Sequence, residues 1–591
     1  MRAQRLWPVL VLVALAPLWL VGILDRQLWT PDEPREADMA WRMAGQSDRT
    51  LPNLAGVPFV EKPPLSYWMS GATIAAFGDS AAAARLPNLL YATISALAIG
   101  ALGLTMGGPI AALIAALIAG SSVLAWHVTS WLDPDAALLA GCSVAVLGLY
   151  WGYRAAPGRR KLLGYTIMHL GSALGFMAKS APGWLVPVVT LTTMMAWERR
   201  WSELKRWELY AGLLIQLPLI GAWISALAHM PQGPQSLREL FWNNLFGRFA
   251  RIAPPGELDY TRGHRNWPGR YLFELPLSFL PWTLLIVAAL QRAWRRVRDT
   301  DRASSAWRFA SAASLPFLLL LSLAATARDI YAAPLIPGLS ALVALWATES
   351  RSTVSRLELF AVRGTYRLIG TIAILLGAVL VLFAAAGVQG STRAAYVAVA
   401  IAAVLIGILT WRAARDRTRT PQNLIWPYTA YLTAFTLSAL ILFPVFDRWQ
   451  NLNALARQIQ IDSAGHELAL LQPDETTIAM LDYRLLTPFT VLPQGDARQS
   501  IAGWFNLHGT QARVLVKLPG HAPGELAQLL SRWHGVKPSA ADLASTDAAP
   551  GIARVVARYE LPQGRRYALL GPPPQTVANR PPQPGSPLLL R

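Results

Sequence analysis

Long apolar blocks separated by short charged segments are the feature that most constrains the fold of this chain. Thirteen such blocks occur within its 591 residues, beginning near Leu6, Ala84, Pro109, Asp133, Leu162, Ala181, Leu209, Tyr271, Trp307, Ile330, Tyr366, Arg393 and Ile425. A hydrocarbon layer about 30 Å thick is crossed by about 20 apolar residues in a helix. The blocks therefore predict an all-α, polytopic membrane domain with about 13 transmembrane helices.

The composition supports a membrane protein over a nucleic-acid-binding one. Hydrophobic residues make up 53% of the chain and charged residues 15%, against roughly 25% in soluble domains. The net charge of +19 would suit a nucleic-acid partner, but the Lys and Arg residues cluster between apolar blocks, as membrane topology requires. The single cysteine, Cys142, excludes an intrachain disulfide and a multi-cysteine metal site.

The short basic loops predict the orientation of the chain in its membrane. With the N-terminus placed in the cytoplasm and the first block kept as a helix, every short basic run falls on the cytoplasmic side, at 154–161, 199–206, 292–302, 351–367 and 412–419. An odd number of spans leaves the C-terminal segment outside. The outer loops receive most of the carboxylates, histidines and isolated basic residues, so we expect the chemistry at the outer water–lipid boundary.

Two motifs stand in the first outer loop. Residues 29–45 predict a short amphipathic helix that Asp32 or Glu33 caps, with an apolar stripe suited to the membrane interface. Residues 61–68 place the acid Glu61 and the base Lys62 before a rigid Pro-Pro turn, and a second interfacial helix runs on to about Phe77. Taken alone, each motif fits a helix cap or a surface ion pair as well as a functional site.

Together these motifs resemble a known family. Asp-Glu-Pro-Arg at 32–35, followed by Glu-Lys-Pro-Pro-Leu-Ser-Tyr-Trp at 61–68, is similar to the bacterial relatives of the protein O-mannosyltransferases. The nearest branch is that of the 4-amino-4-deoxy-L-arabinose transferases, which modify lipid A. Weaker matches at 131–135, 175–179, 280–282 and Tyr331 extend the resemblance over about residues 1–350.

The resemblance implies a GT-C fold and catalysis outside the cytoplasm. The implied donor is a sugar on undecaprenyl phosphate, with no nucleotide cofactor, and the implied acceptor is lipid A or a related envelope glycolipid. Asp32 matches the catalytic aspartate of the family, and we predict a catalytic role for it and for its neighbour Glu33. Asp32 would act as a base on an acceptor hydroxyl or position an acceptor phosphate.

Further site residues are carried over from the same resemblance. The predicted residues for the donor phosphate and the substrate are Arg35, Lys62, Asp133, Asp135, Lys179, Arg328 and Tyr331. Their cations would stabilise the departing lipid phosphate. Relatives bind a divalent metal, zinc or magnesium, near a carboxylate and a loop histidine, and the matching positions here are Glu61 and His264.

Two departures from the family pattern leave the sugar and the acceptor open. Glu36 stands where the family usually has an aromatic residue, and a Lys-rich turn reads Ala327-Arg328-Asp329 here. Transfer to protein, as by protein O-mannosyltransferases, is one alternative. A transporter or flippase of lipid-linked sugars is another, although such proteins usually place polar groups at mid-membrane in repeated halves, and the blocks here have apolar centres.

The composition after Asp447 is that of a soluble domain. We therefore divide the chain into a membrane domain (1–446), a periplasmic α/β domain (447–570) and a Pro-rich disordered tail (571–591). Helical patterns at 451–462 and 524–533 and strand-like runs at 476–481, 514–518 and 553–561 predict the elements of the α/β domain.

Overall fold

The structure is a computed structural model of the chain. It describes residues 2–247, 266–299, 301, 304–349, 354–416, 424–450, 452–493, 495–518, 552–561 and 565–573. The chain forms two compact units, Met1–Arg448 and Trp449–Arg591.

The first unit is almost entirely helical. Its α-helices are α1 (Arg2–Ile23), α2 (Glu33–Gly45), α3 (Leu65–Phe77), α4 (Ala81–Gly107), α5 (Pro109–Ser121), α6 (Val123–Ser130), α7 (Asp135–Arg154), α8 (Arg159–Lys179), α9 (Pro182–Glu198), α10 (Trp207–Ala211), α11 (Leu213–Ala228), α12 (Gly233–Arg238), α13 (Arg270–Ser278), α14 (Thr283–Arg296), α15 (Ser304–Ala312), α16 (Leu315–Leu323), α17 (Ile336–Thr348), α18 (Arg356–Ala386), α19 (Arg393–Ala413) and α20 (Ile425–Gln450). The short strands β1 (Asn53–Leu54) and β2 (Val57–Pro58) pair between α2 and α3, and a 3₁₀ turn spans Asp329–Leu335.

Nine helical stretches in the described part of the chain are long and apolar enough to cross a membrane, and two bent helix pairs raise the number to 11. The bent pairs are α5 with α6, at 63°, and α13 with α14, at 118°. Helices α8 and α9 lie at the other two predicted span positions. Helix α9 has 17 residues, which is fewer than the roughly 20 that a typical transmembrane helix needs. The chain is thus a multi-pass membrane protein, and the count of 13 spans stays a prediction.

Helix α2 packs inside the protein, contrary to our expectation of an interfacial helix facing lipid. Ala37 and Ala40 are completely buried. Gly71 of α3 lies so close to α2 that a Cβ added there would stand 2.9 Å from the carbonyl oxygen of Ala40. Neither carboxylate caps α2, because Asp32 makes no capping hydrogen bond and Glu33 is already the first helical residue. Both side chains are therefore available for other contacts.

Glycines bring α7 and α8 into backbone contact. A Cβ added at Gly141 would lie 2.4 Å from the backbone nitrogen of Gly175, and one at Gly171 would lie 2.4 Å from that of Ala145. Small residues at such spacing let membrane helices approach closely, which is the main source of their association in lipid. This packing fixes the adjacent ends of α7 and α8, where Asp135 and Lys179 stand.

The second unit is a small α/β fold, described here by itself. Its elements are α21 (Leu452–Asp462), β3 (Glu467–Leu471), α22 (Glu475–Asp482), β4 (Thr490–Val491), α23 (Ala497–His508), β5 (Ala512–Lys517), β6 (Arg554–Glu560) and β7 (Arg566–Gly571). The strand order is β4-β3-β5-β7-β6, with β3 parallel to β4 and β5 and the remaining pairs antiparallel. Neighbouring residues Leu569 and Leu570 enter different apolar clusters, so the sheet buries both faces.

One secondary-structure prediction for this unit differs from the structure. The run 476–481 is helix α22 and not a strand, because Asp474 accepts a hydrogen bond from the backbone N–H of Thr477 and caps the helix. The strand lies earlier, at β3, whose Ala and Leu residues carry no strand signal of their own. The helix predicted at 524–533 and the tail from 574 lie outside the described residues.

Candidate functional site

The segment between α1 and α3 contains a buried ion-pair cluster around Glu33, the anchor of the first loop. Its carboxylate accepts hydrogen bonds from both guanidinium nitrogens of Arg26, at 2.5 and 2.9 Å, and from two nitrogens of Arg85, both at 2.8 Å. The backbone N–H groups of Trp29 and Leu132 donate to the same carboxylate. Burial alone would raise the pKa of Glu33, but the two arginines outweigh it and lower the pKa to about 2.

This arrangement argues against our prediction of a catalytic role for Glu33. Its side chain is completely buried and both oxygens are already engaged by donors from three parts of the chain. A substrate could reach it only by breaking a buried ion pair, which is costly. Glu33 therefore serves as the structural anchor of the loop.

Two cation–π contacts and two hydrogen bonds hold the start of this loop in place. The guanidinium of Arg26 lies over the rings of Trp29 and Trp131, at 4.2 and 4.8 Å from their centroids. The indole N–H of Trp29 and the backbone N–H of Gln27 both donate to Asp447 at the end of α20, at 2.6 and 2.9 Å. The loop is thereby held between α4, the turn before α7, and α20.

Asp32 stands one residue before this anchor and has different partners. One carboxylate oxygen accepts a hydrogen bond from Arg328 at 2.7 Å, and the other lies 3.6 Å from the guanidinium of Arg35. The Asp32 side chain keeps 14% of its surface exposed. Asp32 is thus held by two cations at an accessible position, as a base for an incoming hydroxyl requires.

Lys62 lies in a cage of carboxylates. Its ammonium donates to Glu36 at 3.0 Å and lies 3.7 Å from Asp133. Burial alone would lower the pKa of Lys62, but these two carboxylates raise it well above its usual range, so the side chain carries a full charge. Burial also raises the pKa of Glu36, although Lys62 and Arg35 oppose the shift.

Lys179 is a second cation close to Asp133. At the end of α8 its ammonium donates to Asp135 and lies 3.9 Å from Asp133. It also stands 5.0 Å from the ring centroid of Tyr331. Asp133 is therefore shared between the ammonium groups of Lys62 and Lys179 and joins them into one cluster.

Glu61 does not form a complete metal site in the described part of the chain. Its carboxylate lies 3.5 Å from the guanidinium of Arg35. No three His, Cys, Asp or Glu side chains among the described residues form a metal-holding group, and His264 lies outside those residues. The metal at Glu61 and His264 stays a prediction.

A cavity of about 160 Å³ opens beside these cations. Its lining includes the charged or polar residues Glu61, Lys62, Asp135, Lys179, Ser180, Asn244, Thr326 and Tyr331. The other lining residues are apolar: Leu138, Ala181, Pro182, Leu185, Phe317, Leu320, Leu321 and Ala324. A cavity that combines two ammonium groups with many aliphatic side chains suits a ligand with a charged head and a hydrocarbon tail.

The structure brings most of the predicted site residues together. Hydrogen bonds or ion pairs connect Asp32, Arg35, Glu61, Lys62, Asp133, Asp135, Lys179 and Arg328, and Tyr331 adjoins them. The sequence reasoning missed the anchoring arginines and the bridging role of Glu36. Arg85 gave a usable signal, because an arginine one turn inside an apolar helix is expensive unless it has a partner.

Known proteins share both sequence and fold with this chain. Residues 61–225 match the family model described as dolichyl-phosphate-mannose-protein mannosyltransferase. An undecaprenyl phosphate-alpha-4-amino-4-deoxy-L-arabinose arabinosyl transferase of Pseudomonas paraeruginosa is 30% identical over 295 residues, which is 50% of this chain and 52% of that protein. The same-named protein of Edwardsiella ictaluri is 30% identical over 332 residues, or 55% and 56%.

The fold comparison covers almost the whole chain. The crystal structure of ArnT from Cupriavidus metallidurans bound to undecaprenyl phosphate superposes with a TM-score of 0.66 at 16% identity, over 95% of this chain and 98% of that one. The apo form gives 0.67 at 17% identity, over 95% and 97%. The chain has the GT-C fold and is similar in sequence to the aminoarabinose transferases over about half of its length. The family resemblance and the fold class predicted from the first-loop motifs are confirmed.

The extent of the sequence match limits what is carried over from these relatives. The chain spans about half the length of the curated relatives it matches, in contrast to the near-complete structural match. At 16% identity the structural likeness speaks for the GT-C fold alone.

Proposed function

We propose that this chain is a membrane glycosyltransferase that moves a sugar from an undecaprenyl-phosphate donor to an acceptor outside the cytoplasm. The observation that carries the proposal is the convergence of Asp32 with four basic side chains, those of Arg35, Lys62, Lys179 and Arg328, beside a cavity with apolar walls. The names of the curated relatives and the undecaprenyl phosphate bound to the ArnT crystal structure support this donor class.

The geometry suits a direct displacement at the sugar carbon. The bond between that carbon and the phosphate oxygen breaks, and its electron pair stays on the phosphate. The acceptor hydroxyl forms the new bond to the carbon and gives its proton to Asp32, which Arg328 orients. Lys62 and Lys179 face the cavity and stabilise the negative charge that gathers on the leaving phosphate.

The proposed acceptor is lipid A or a related envelope glycolipid, in line with the arabinosyl transferases among the relatives. The description of the matching family model favours a second candidate, transfer of a sugar to protein. Glu36 and the altered turn at Ala327-Arg328-Asp329 leave the transferred sugar open.

The substitution Asp32→Asn tests the transferase proposal. General-base assistance is worth about 10²–10⁴-fold in rate, so transfer from an undecaprenyl-phosphate sugar should fall by that factor while the donor still binds. The measurement is mass spectrometry of products in proteoliposomes with purified glycolipid or protein acceptors. Undiminished transfer by the variant would reject Asp32 as base. Movement of the intact donor across vesicles without bond cleavage would favour a transporter instead.

We also propose that the site faces the periplasm from a bacterial inner membrane. The support is the placement of every short basic loop on one side of the predicted topology, with the first loop on the other. The second unit, after Arg448, then lies on the periplasmic side as well.

A divalent metal at Glu61 and His264 is a further part of the proposal. A carboxylate and an imidazole suit zinc, and the metal would supply additional positive charge near the donor phosphate. Metal content measured on the purified wild type, Glu61→Ala and His264→Ala tests it. A stoichiometric metal that both variants lose is expected, and metal retained by both would contradict the assignment.

A further inference from the structure

Glu36 occupies an unusual place for a carboxylate. It lies among Arg35, Lys62, Lys179 and Arg328, which form the proposed phosphate-binding wall, and it is 2% exposed. It is also a position where the first-loop motif departs from the family pattern that it resembles. One of its oxygens, Oε1, accepts hydrogen bonds from Arg35 at 2.9 Å and from Lys62 at 3.0 Å. Glu36 therefore engages two of the cations that the proposed donor phosphate requires.

The cluster as a whole is rich in carboxylates. Its four basic side chains are Arg35, Lys62, Lys179 and Arg328, and its five carboxylates are Asp32, Glu36, Glu61, Asp133 and Asp135. Asp32, Asp133 and Asp135 also match positions in the family motifs, whereas Glu36 is the carboxylate that departs from them. An ionised Glu36 thus lowers the net positive charge of the phosphate-binding wall by one unit.

The charge of the phosphate changes during the proposed reaction. The donor is a phosphodiester with one negative charge, whereas the product is a polyprenyl phosphate monoester with a charge of about −1.5 to −2 at pH 7. Cations placed to stabilise the leaving phosphate therefore hold the product more strongly than the donor. A wall with unopposed cations would be slow to release its product.

We propose that Glu36 is an internal counter-anion that competes with the product phosphate for Lys62 and Arg35 and so speeds release of the polyprenyl phosphate. This inference rests on the proposed function. Glu36 is a positioning residue in this scheme, because it acts through the two cations and not on the reacting atoms.

The surroundings of Glu36 provide a place for its carboxylate while a phosphate holds the cations. Its second oxygen, Oε2, is buried and makes no hydrogen bond within the described part of the chain. A small cavity beside it is lined by Ser66 and Tyr91, whose hydroxyl groups are also buried and unbonded among the described residues. These hydroxyls can donate to the displaced carboxylate, which lowers the cost of exchanging Glu36 for phosphate.

The test compares binding of undecaprenyl phosphate to purified wild type and Glu36→Gln, together with steady-state transfer. Glu36→Gln removes a negative charge that competes with the phosphate, so it should tighten binding of undecaprenyl phosphate. The expected change is about tenfold in Kd, which equals about 1.4 kcal/mol. The variant should also show lower kcat and lower KM for the donor, because product release slows. Glu36→Asp should restore most of the wild-type behaviour.

Two further variants separate this effect from others. Asp48→Asn removes the same charge from an exposed position of the first loop and should leave binding unchanged. Ser66→Ala removes a partner of the displaced carboxylate and should weaken undecaprenyl phosphate binding a few-fold while leaving the charge of the wall intact. If Glu36→Gln fails to fold, undecaprenyl phosphate binding by Ser66→Ala still tests the inference.

The outcomes distinguish the inference from the function on which it rests. Equal or weaker binding of undecaprenyl phosphate by Glu36→Gln, in a wild type that transfers sugar, would overturn the inference alone and assign Glu36 to holding Lys62 in place. A wild type that neither binds undecaprenyl phosphate nor transfers sugar from it would overturn both.

Discussion

The two adjacent acids of the first motif have different partners and different exposure. Glu33 turns into the protein and binds Arg26 and Arg85, whereas Asp32 turns toward Arg328 and keeps part of its surface exposed. Residue types alone do not distinguish them, because both are acidic and both stand at the start of α2. Arg85, a partner of Glu33, is 52 residues away, and Arg328, a partner of Asp32, is 296 residues away, so sequence reasoning had no means of identifying these pairs.

Glu33→Gln should destabilise the protein without removing any group that contacts the substrate. Loss of one partner from a buried ion pair typically costs about 3–5 kcal/mol, because the remaining charges stay buried and uncompensated. The pKa of Glu33 is lowered from 4.5 to about 2, so its contribution is complete above pH 4.5 and is lost as the pH falls toward 2.

Thermal unfolding in detergent measures this effect. The Tm difference between wild type and Glu33→Gln should be constant from pH 7 to pH 5 and shrink at lower pH, whereas Asp48→Asn should differ little from wild type throughout. A Tm difference that grew on acidification would contradict the anchoring role.

At the scale of elements, the contact between α7 and α8 depends on glycine. A Cβ at Gly171 would stand 2.4 Å from the backbone nitrogen of Ala145 and 2.7 Å from the carbonyl oxygen of Gly141, and backbone atoms cannot yield as side chains do. Gly171→Ala should therefore separate the two helices and displace Lys179 from Asp135.

The matched control is Gly221→Ala in α11, where an added Cβ meets nothing within 4 Å. Alanine favours a helix over glycine by up to about 1 kcal/mol, so this change should be neutral or stabilising. Thermal unfolding and transfer activity of both variants are the measurements. Equal stability of the two variants would show that the close approach is not needed.

The predicted elements agree with the structure where apolar length or motif spacing determines them. The helices of the membrane unit lie at the predicted positions, because a bilayer imposes a length that is visible in the sequence. The bends at α5–α6 and α13–α14 were missed, since breaks within an apolar block follow from tertiary contacts such as the hydrogen bond from Val123 to Leu280. Helix α22 was mistaken for a strand because the Thr and Ile residues at 476–478 outweighed the cap at Asp474 in the pattern.

At the scale of the whole molecule, the proposed orientation predicts which surfaces face the periplasm. A thiol reagent that cannot cross the inner membrane tests this in cells whose outer membrane has been permeabilised. Asp48→Cys should react, whereas Arg415→Cys should react only after lysis, because both positions are exposed and lie on opposite sides. The native Cys142 is completely buried and should contribute little background. Labelling of Arg415→Cys in intact cells would reverse the orientation.

The bonds from Gln27 and Trp29 to Asp447 join residues that are 420 and 418 positions apart. A ribosome adds roughly 5–20 residues per second, so these partners leave it on the order of 20–80 s apart. Throughout that interval the first loop of the nascent chain lacks its hydrogen bonds to Asp447 of α20. The contact between the first loop and α20 therefore forms only when the last helix of the membrane unit has been inserted, and a chain halted during translation lacks it.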